Sequence, residues 1–212
     1  MIGFFVIHIY HQLFFHQYNE QTMFHLDEYI GLSVSHKASF RKYLQERFVE
    51  KLPKLKAVNF INGEAQAQNE CERLGKLIGQ SPIDVALVGI GENGHLAFND
   101  PPADFETDQS YLIVNLDEEC RQQQVNEGWF NSIEEVPKQA ISMSIKQIML
   151  SQHIICTVPG RRKAKAVKDT LEKPVSNLFP ASILRNHPDC FLYLDDESAA
   201  LLENINSYTS WC

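Results

Sequence analysis

The chain has 212 residues, a formal net charge of −8 and 44% hydrophobic content. That length supports one sizeable core and predicts a single domain. The acidic balance, with no stretch that gathers Lys and Arg densely enough to offset it, argues against nucleic acid or an anionic membrane as partner and leaves an anionic small molecule open. No apolar run approaches the roughly 18 residues needed to span a bilayer, and five cysteines, odd in number and without a CxxC pair, predict reduced structural thiols and a cytoplasmic setting.

From Met1 to His36 there is no Lys or Arg, and the opening MIGFFVIHIYHQLFFHQ is crowded with aromatics and histidines. A secretory signal would want a basic start, an unbroken apolar stretch and small residues at a cleavage site, none of which is present. His8, His11 and His16 lack a cysteine or carboxylate at ligand spacing, so a plain apolar segment is the better reading than a metal site. Residues 1–22 are read as an irregular N-terminal segment ahead of a domain over 23–212.

An apolar β-type run (Met23, Phe24, Leu26) leads to Asp27. Ser35 then offers an N-cap to a helix in which Phe40, Tyr43, Leu44 and Phe48 recur at helical spacing, closing before Pro53. Val58 to Ile61 reads as a short strand ended by Asn62-Gly63, and Ala67, Cys71, Leu74 and Ile78 mark a second amphipathic helix. Val85 to Ile90 is a continuous apolar run, as expected of a strand covered on both faces. Further strands are predicted at Tyr111–Val114, Ile154–Val158 and Cys190–Leu194, with helices over Ser144–Leu150 and Arg161–Leu171. Strands separated by such helices imply βαβ crossovers: a three-layer α/β fold with a mainly parallel sheet.

The most pointed chemistry lies in GIGENGHLAFND, Gly89 to Asp100. A strand runs there into a polar loop permissive to tight turns, the place where open α/β sheets hold ligands. Asp100, five residues after His95, can orient the imidazole and lift its basicity, which makes His95 a candidate proton shuttle. Asp27 supplies a second carboxylate, which reads equally as a base or as a turn or capping aspartate. His95, Asp100 and Asp27 form a weak set for a divalent ion, so no metal is expected; acid and base groups alone suit proton transfer beside a carbonyl. The run Pro159-Gly160-Arg161-Arg162-Lys163, between a strand and a helix, is either an anion site at the helix start or a solvated basic face.

LDEYIGL, Asn62-Gly63, GIGENGHLAFND, VPKQAISMSI, GRRKA and PASILRNHPDCFLYLDDESA together resemble the glucosamine-6-phosphate deaminase (isomerase) family, over about Phe24 to Ala200. The 6-phosphogluconolactonases share the fold but carry DERxVP and GHxASLFP where this chain has DEYIGL and GHLAFND. The resemblance implies a Rossmann-like sugar-phosphate isomerase fold and hydrolytic deamination with aldose-ketose isomerisation: glucosamine 6-phosphate and water give fructose 6-phosphate and ammonium, with no cofactor. It implies that Asp27 is the base between C2 and C1, that His95 opens the pyranose ring with support from Asp100 and Asn93, and that Lys163 binds phosphate, with Gly91 and Gly94 lining the substrate loop. It leaves a homo-oligomer open as a further partner.

Three departures from the family pattern stand out. No glycine-, serine- and threonine-rich phosphate loop precedes Met23, so the chain is expected to be N-terminally incomplete or its start misassigned, and a truncated non-catalytic member or a lactonase-like hydrolase are the alternatives. Asp100 is one methylene shorter than the usual glutamate, which questions its reach to His95. Gly128 and Trp129 stand where many relatives have an arginine, leaving Arg121 and Arg161 as candidate replacements. The loop holding Asp104, Glu106 and Asp108 lacks the basic residues that receive an allosteric amino-sugar phosphate in some relatives, so no such activation is expected.

Overall fold

The computed structural model describes residues 21–52, 54–80 and 82–203, so the N-terminal histidines, most of the irregular segment and Cys212 lie outside the described residues. In chain order the elements are β1 (Thr22–Phe24), β2 (Asp27–Tyr29), α1 (Phe40–Arg47), β3 (Ala57–Asn59), α2 (Ala67–Ile78), β4 (Val85–Val88), β5 (Tyr111–Asn115), α3 (Glu118–Asn126), β6 (Gln139–Met143), α4 (Ile145–Met149), β7 (His153–Val158), α5 (Ala164–Glu172) and β8 (Cys190–Leu194). Short 3-10 turns occupy Val49–Lys51, Ile133–Glu135, Arg161–Lys163 and Pro180–Asn186. The described residues form two compact units, the first up to Ile78 plus Tyr111–Met143, the second Gly79–Ser110 plus the chain from Ser144 onward.

In the first unit β1 and β3 pair in parallel, with Met23 opposite Val58. Three further strands, β2, β6 and β5, form an antiparallel sheet in that order, with Asp27 opposite Ser142 and Ile113 opposite Ile141. The core gathers Tyr29, Ile61, Leu74, Ile78, Tyr111 and Ile141, all buried. Tyr29 stacks on Phe40 at 5.5 Å between centroids and meets Phe130 edge-on at 5.7 Å, separations at which aromatic pairs add stabilisation beyond their buried area. In the second unit β4, β7 and β8 run parallel, with Leu87 opposite Ile155 and Cys156 opposite Leu192. Val88, Ile90, Ile145, Ile148, Ile154 and Val167 are buried there.

The α/β fold with mainly parallel pairing is as the sequence predicts, and β2, α3 and β6 are additions to it. β2 and β6 are short or polar enough to lack a period of their own, and antiparallel pairing with β5 holds β6 in place. Ser39 rather than Ser35 caps α1, its side chain accepting from Lys42 N–H at 3.2 Å. The reason is tertiary, because the Glu28 carboxylate fixes the first turn at Phe40 and Arg41. β3 ends at Asn59 rather than Ile61, where Arg73 Nη2 takes the Phe60 carbonyl at 2.9 Å and Asn62 N–H turns to Glu70 at 2.8 Å. β4 ends at Val88 and alternates buried and half-buried residues instead of being covered on both faces. Cys71, Cys120, Cys156 and Cys190 are free thiols.

Candidate active site

In the second unit the chain leaves β4 and folds back on itself: Gly91 N–H donates to the His95 carbonyl at 3.0 Å and Gly94 N–H to the Gly91 carbonyl at 3.1 Å. Gly94 has φ +88°, a conformation that L side chains rarely adopt. Gly91 is needed for another reason. A Cβ there would stand 2.3 Å from Cε1 and Nε2 of His95, so the imidazole lies directly against the glycine backbone.

His95 Nδ1 meets Asp100 Oδ1 at 2.9 Å, the same oxygen accepts from Asn93 Nδ2 at 3.0 Å, and Asn93 Oδ1 accepts from the His95 N–H at 3.1 Å. The three residues therefore close a ring of hydrogen bonds. The shorter aspartate reaches His95 because the chain turns tightly after the histidine: Asn99 N–H returns to the Leu96 carbonyl at 3.0 Å, Asn99 Nδ2 to the same carbonyl at 2.8 Å, and Asp100 N–H to the Phe98 carbonyl at 3.0 Å. A carboxylate accepting from Nδ1–H leaves the Nε2 lone pair as the base. Both side chains are almost fully withdrawn from solvent, at 8% and 6% exposure, so little water competes for that pair.

The entry to α5 supplies the basic group. Gly160, at φ +92°, donates its N–H to both Asp195 oxygens at 3.1 and 2.9 Å. Asp195 is itself held by Ser198 N–H at 2.7 Å, and these bonds keep its carboxyl below the usual aspartate range. The chain then makes the 3-10 turn Arg161–Lys163 before α5, and the Lys163 side chain is buried. Arg162 Nε approaches Glu92 at 3.4 Å and Ala181 N–H donates to the Gly94 carbonyl at 2.9 Å, tying the histidine loop to its neighbours in this unit. Asn93, His95 and Asp100 are thus brought together on one loop, with Gly91 and Gly94 shaping it.

Asp27 belongs to the first unit, at the start of β2. It keeps partial exposure yet lies deep among protein atoms, and burial followed by the neighbouring Glu28 charge pushes its carboxyl up to about 7. Such a group is a base poised near neutrality. Glu28 points to the opposite face of the strand and is buried. It accepts from Ser39 Oγ at 2.8 Å, Arg41 N–H at 2.7 Å, Phe40 N–H at 3.3 Å and Tyr29 N–H at 2.9 Å. A carboxylate thus sits on the unsatisfied N–H groups of the first turn of α1, which fixes β2 and with it Asp27. Sequence reasoning missed Glu28 and Asp195. The first leaves no signal beyond its place beside Asp27, and the second is foreshadowed by the Asp195-x-x-Ser198 spacing of a reciprocal cap.

Of the two arginines proposed to replace the family's phosphate arginine, Arg121 is engaged inside the first unit, its Nη2 donating to the carbonyls of Ile133 and Val136. Arg161 is exposed. Within either unit taken alone, no three His, Cys, Asp or Glu side chains among the described residues converge closely enough to hold a metal ion.

Known proteins are similar to this chain in sequence and fold. The chain is 37% identical to the glucosamine-6-phosphate deaminase of Exiguobacterium sibiricum, covering 86% of this chain and 71% of that one. It is 39% identical to the deaminase of Listeria monocytogenes serotype 4a, covering 85% and 76%. Among solved structures, a monomeric glucosamine-6-phosphate deaminase superposes with a TM-score of 0.75 at 36% identity, over 83% of this chain and 73% of that one. The 6-phosphogluconolactonase of Trypanosoma brucei superposes at 0.66 with 19% identity over 85% and 73%, a likeness of fold alone. The family described as glucosamine-6-phosphate isomerases/6-phosphogluconolactonase matches residues 9–192, and with relatives at that identity over most of its length, this chain belongs to it.

Proposed function

We propose that this protein deaminates and isomerises glucosamine 6-phosphate, taking up water and releasing fructose 6-phosphate and ammonium. The observation that carries the reading is the closed Asn93, His95 and Asp100 network in a chain 35 to 39% identical to curated deaminases. The reaction divides into two proton-transfer tasks. Ring opening needs a group that takes the proton of the C1 hydroxyl and returns one to the ring oxygen, and His95 Nε2, with its tautomer set by Asp100, is built for that exchange. Isomerisation needs a base that carries a proton from C2 to C1, and Asp27, titrating near 7, can both take and return it. As C2 loses its proton, electrons move to the C1 carbonyl oxygen, which takes up a proton to give an enolamine; protonation at C1 with loss of one amino proton leaves an imine at C2, which water converts to the ketone with loss of ammonia. Lys163 would hold the phosphate, and the loop backbone at Gly91 and Gly94 would admit the sugar closely.

The partner in this reading is a small amino-sugar phosphate in the cytoplasm, and no helix among the described residues is long and apolar enough to cross a membrane. Light scattering on the purified chain distinguishes the homo-oligomer allowed by the sequence from a monomer like the 36% identical solved deaminase. The deciding experiment is ammonium release from glucosamine 6-phosphate by wild type, Asp27→Asn and His95→Gln. Release by wild type that vanishes in Asp27→Asn supports the reading. Hydrolysis of 6-phosphogluconolactone without ammonium release replaces it with lactonase chemistry.

A further inference from the structure

A cleft of about 390 Å³ opens in the first unit, where α1, the exit of β3 and α2 meet. Arg41, Glu70 and Arg73 line it together with Val58, Phe60 and Asn62. The two arginines are not equivalent. Arg73 is committed, its Nε and Nη2 donating to the two Glu70 oxygens at 2.8 and 2.6 Å and Nη2 also to the Phe60 carbonyl at 2.9 Å. Glu70 also accepts from Asn62 N–H at 2.8 Å, and against its burial the bonds from Arg73 and Asn62, with the charges of Arg73 and Arg41, keep its carboxyl below the usual range. That pair is close to neutral as a unit.

Arg41 is different. Its backbone N–H holds Glu28, but among the described residues its guanidinium meets no carboxylate. It lies 5.5 Å from the centre of the Phe60 ring, within cation–π range. A planar cation fixed on an aromatic face presents its remaining donors in a fork suited to an oxyanion. The surplus positive charge is felt by its surroundings: buried His25, edge-on to Phe60 at 6.0 Å, is pushed down to about 3 by burial and then by Arg41. The volume falls within the range of small-molecule sites.

We propose that this cleft is a second binding site, for a small molecule bearing a phosphate or carboxylate group, with Arg41 as the principal oxyanion ligand, Phe60 as its platform and Arg73 with Asn62 as further lining. The site uses none of the residues assigned to the reaction. Its ligand is recognised by a planar or tetrahedral oxyanion and by a body small enough to lie on Val58 and Phe60.

Side-chain NMR of the arginine Nε–Hε groups in the intact protein tests this, with inorganic phosphate and acetate titrated separately at constant ionic strength. A saturable shift of the Arg41 signal is expected, and which anion saturates first assigns the site to phosphate or carboxylate chemistry. Arg41→Lys keeps the charge but loses the fork and should weaken binding about tenfold, read from the Arg73 signal, while leaving the catalysed rate at saturating substrate unchanged. The proposal is overturned if Arg41 does not shift with either anion, or if Arg47 and Arg121 shift in parallel with it, since that is a bulk salt effect. The wild-type titration stands even if the variant folds poorly.

Discussion

The imidazole of His95 rests on the backbone of Gly91 with no room for a methyl group between them. A five-residue turn thereby delivers both the imidazole and the surface against which it is held. Gly91→Ala should push the ring off its bond to Asp100. We expect a fall of about 10²-fold in kcat for ammonium release, the scale of a catalytic group misplaced by roughly an ångström. The melting temperature should move little by comparison, and a loss confined to stability would refute the positioning argument.

Asp27 carries a trade between activity and stability that can be read from pH. Its carboxyl titrates near 7 when folded against an ordinary 3.8, so the folded state holds the proton more tightly. Stability from this group is fully present below about pH 4 and is lost as pH rises through 7. Asp27→Asn should therefore be inactive yet more stable than wild type at pH 8, by about 1 to 2 kcal/mol after discounting for partial exposure, with the advantage gone at about pH 4. Urea melts at the two pH values measure it. In wild type, kcat/KM should fall tenfold per pH unit on the acid side of 7, where the base becomes protonated.

Glu28 is expected to matter as much as its neighbour, for a different reason. Glu28→Ala strands the Ser39 hydroxyl and the N–H groups of Phe40 and Arg41, all now satisfied by one carboxylate. The cost should be about 3 kcal/mol, from buried donors left without acceptors. Glu28→Gln keeps an acceptor oxygen and should recover part of that. Equal unfolding midpoints for wild type and Glu28→Ala would mean the cap carries no load.

Gly63 is a steric requirement of β2. A Cβ there would come 2.1 Å from the Tyr29 carbonyl oxygen, while the Gly63 carbonyl accepts the Gly31 N–H at 2.7 Å. Backbone meets backbone, so relief requires the strand to move. Gly63→Ala should cost about 2 kcal/mol or more and lower activity through Asp27. Circular dichroism melts and ammonium release on the same sample check both effects.

Much of this site was legible in one dimension. Local residue order places Asn93, His95 and Asp100 on a single turn after a strand, and the alternation of apolar runs with helical periods requires an α/β fold, because both depend on interactions a few residues apart. The shorter Asp100 reaches His95 for a reason invisible in the sequence: the hydrogen bonds around Leu96, Phe98 and Asn99 turn the chain tightly enough for its side chain.

Other features depend on partners far along the chain. Ser39 displaces Ser35 as the cap because Glu28, eleven residues before it, occupies the first turn of α1. β2 and β6 exist as strands because Asp27–Tyr29 and Gln139–Met143 pair with each other across more than a hundred residues, with β5 as the third strand. By itself the sequence determined the residue types, their local turns and the family they belong to. The tertiary structure alone decided the protonation of Asp27, the work of Glu28 and the charge left on Arg41, because burial and long-range pairing set those properties and neither is encoded within a window of neighbouring residues.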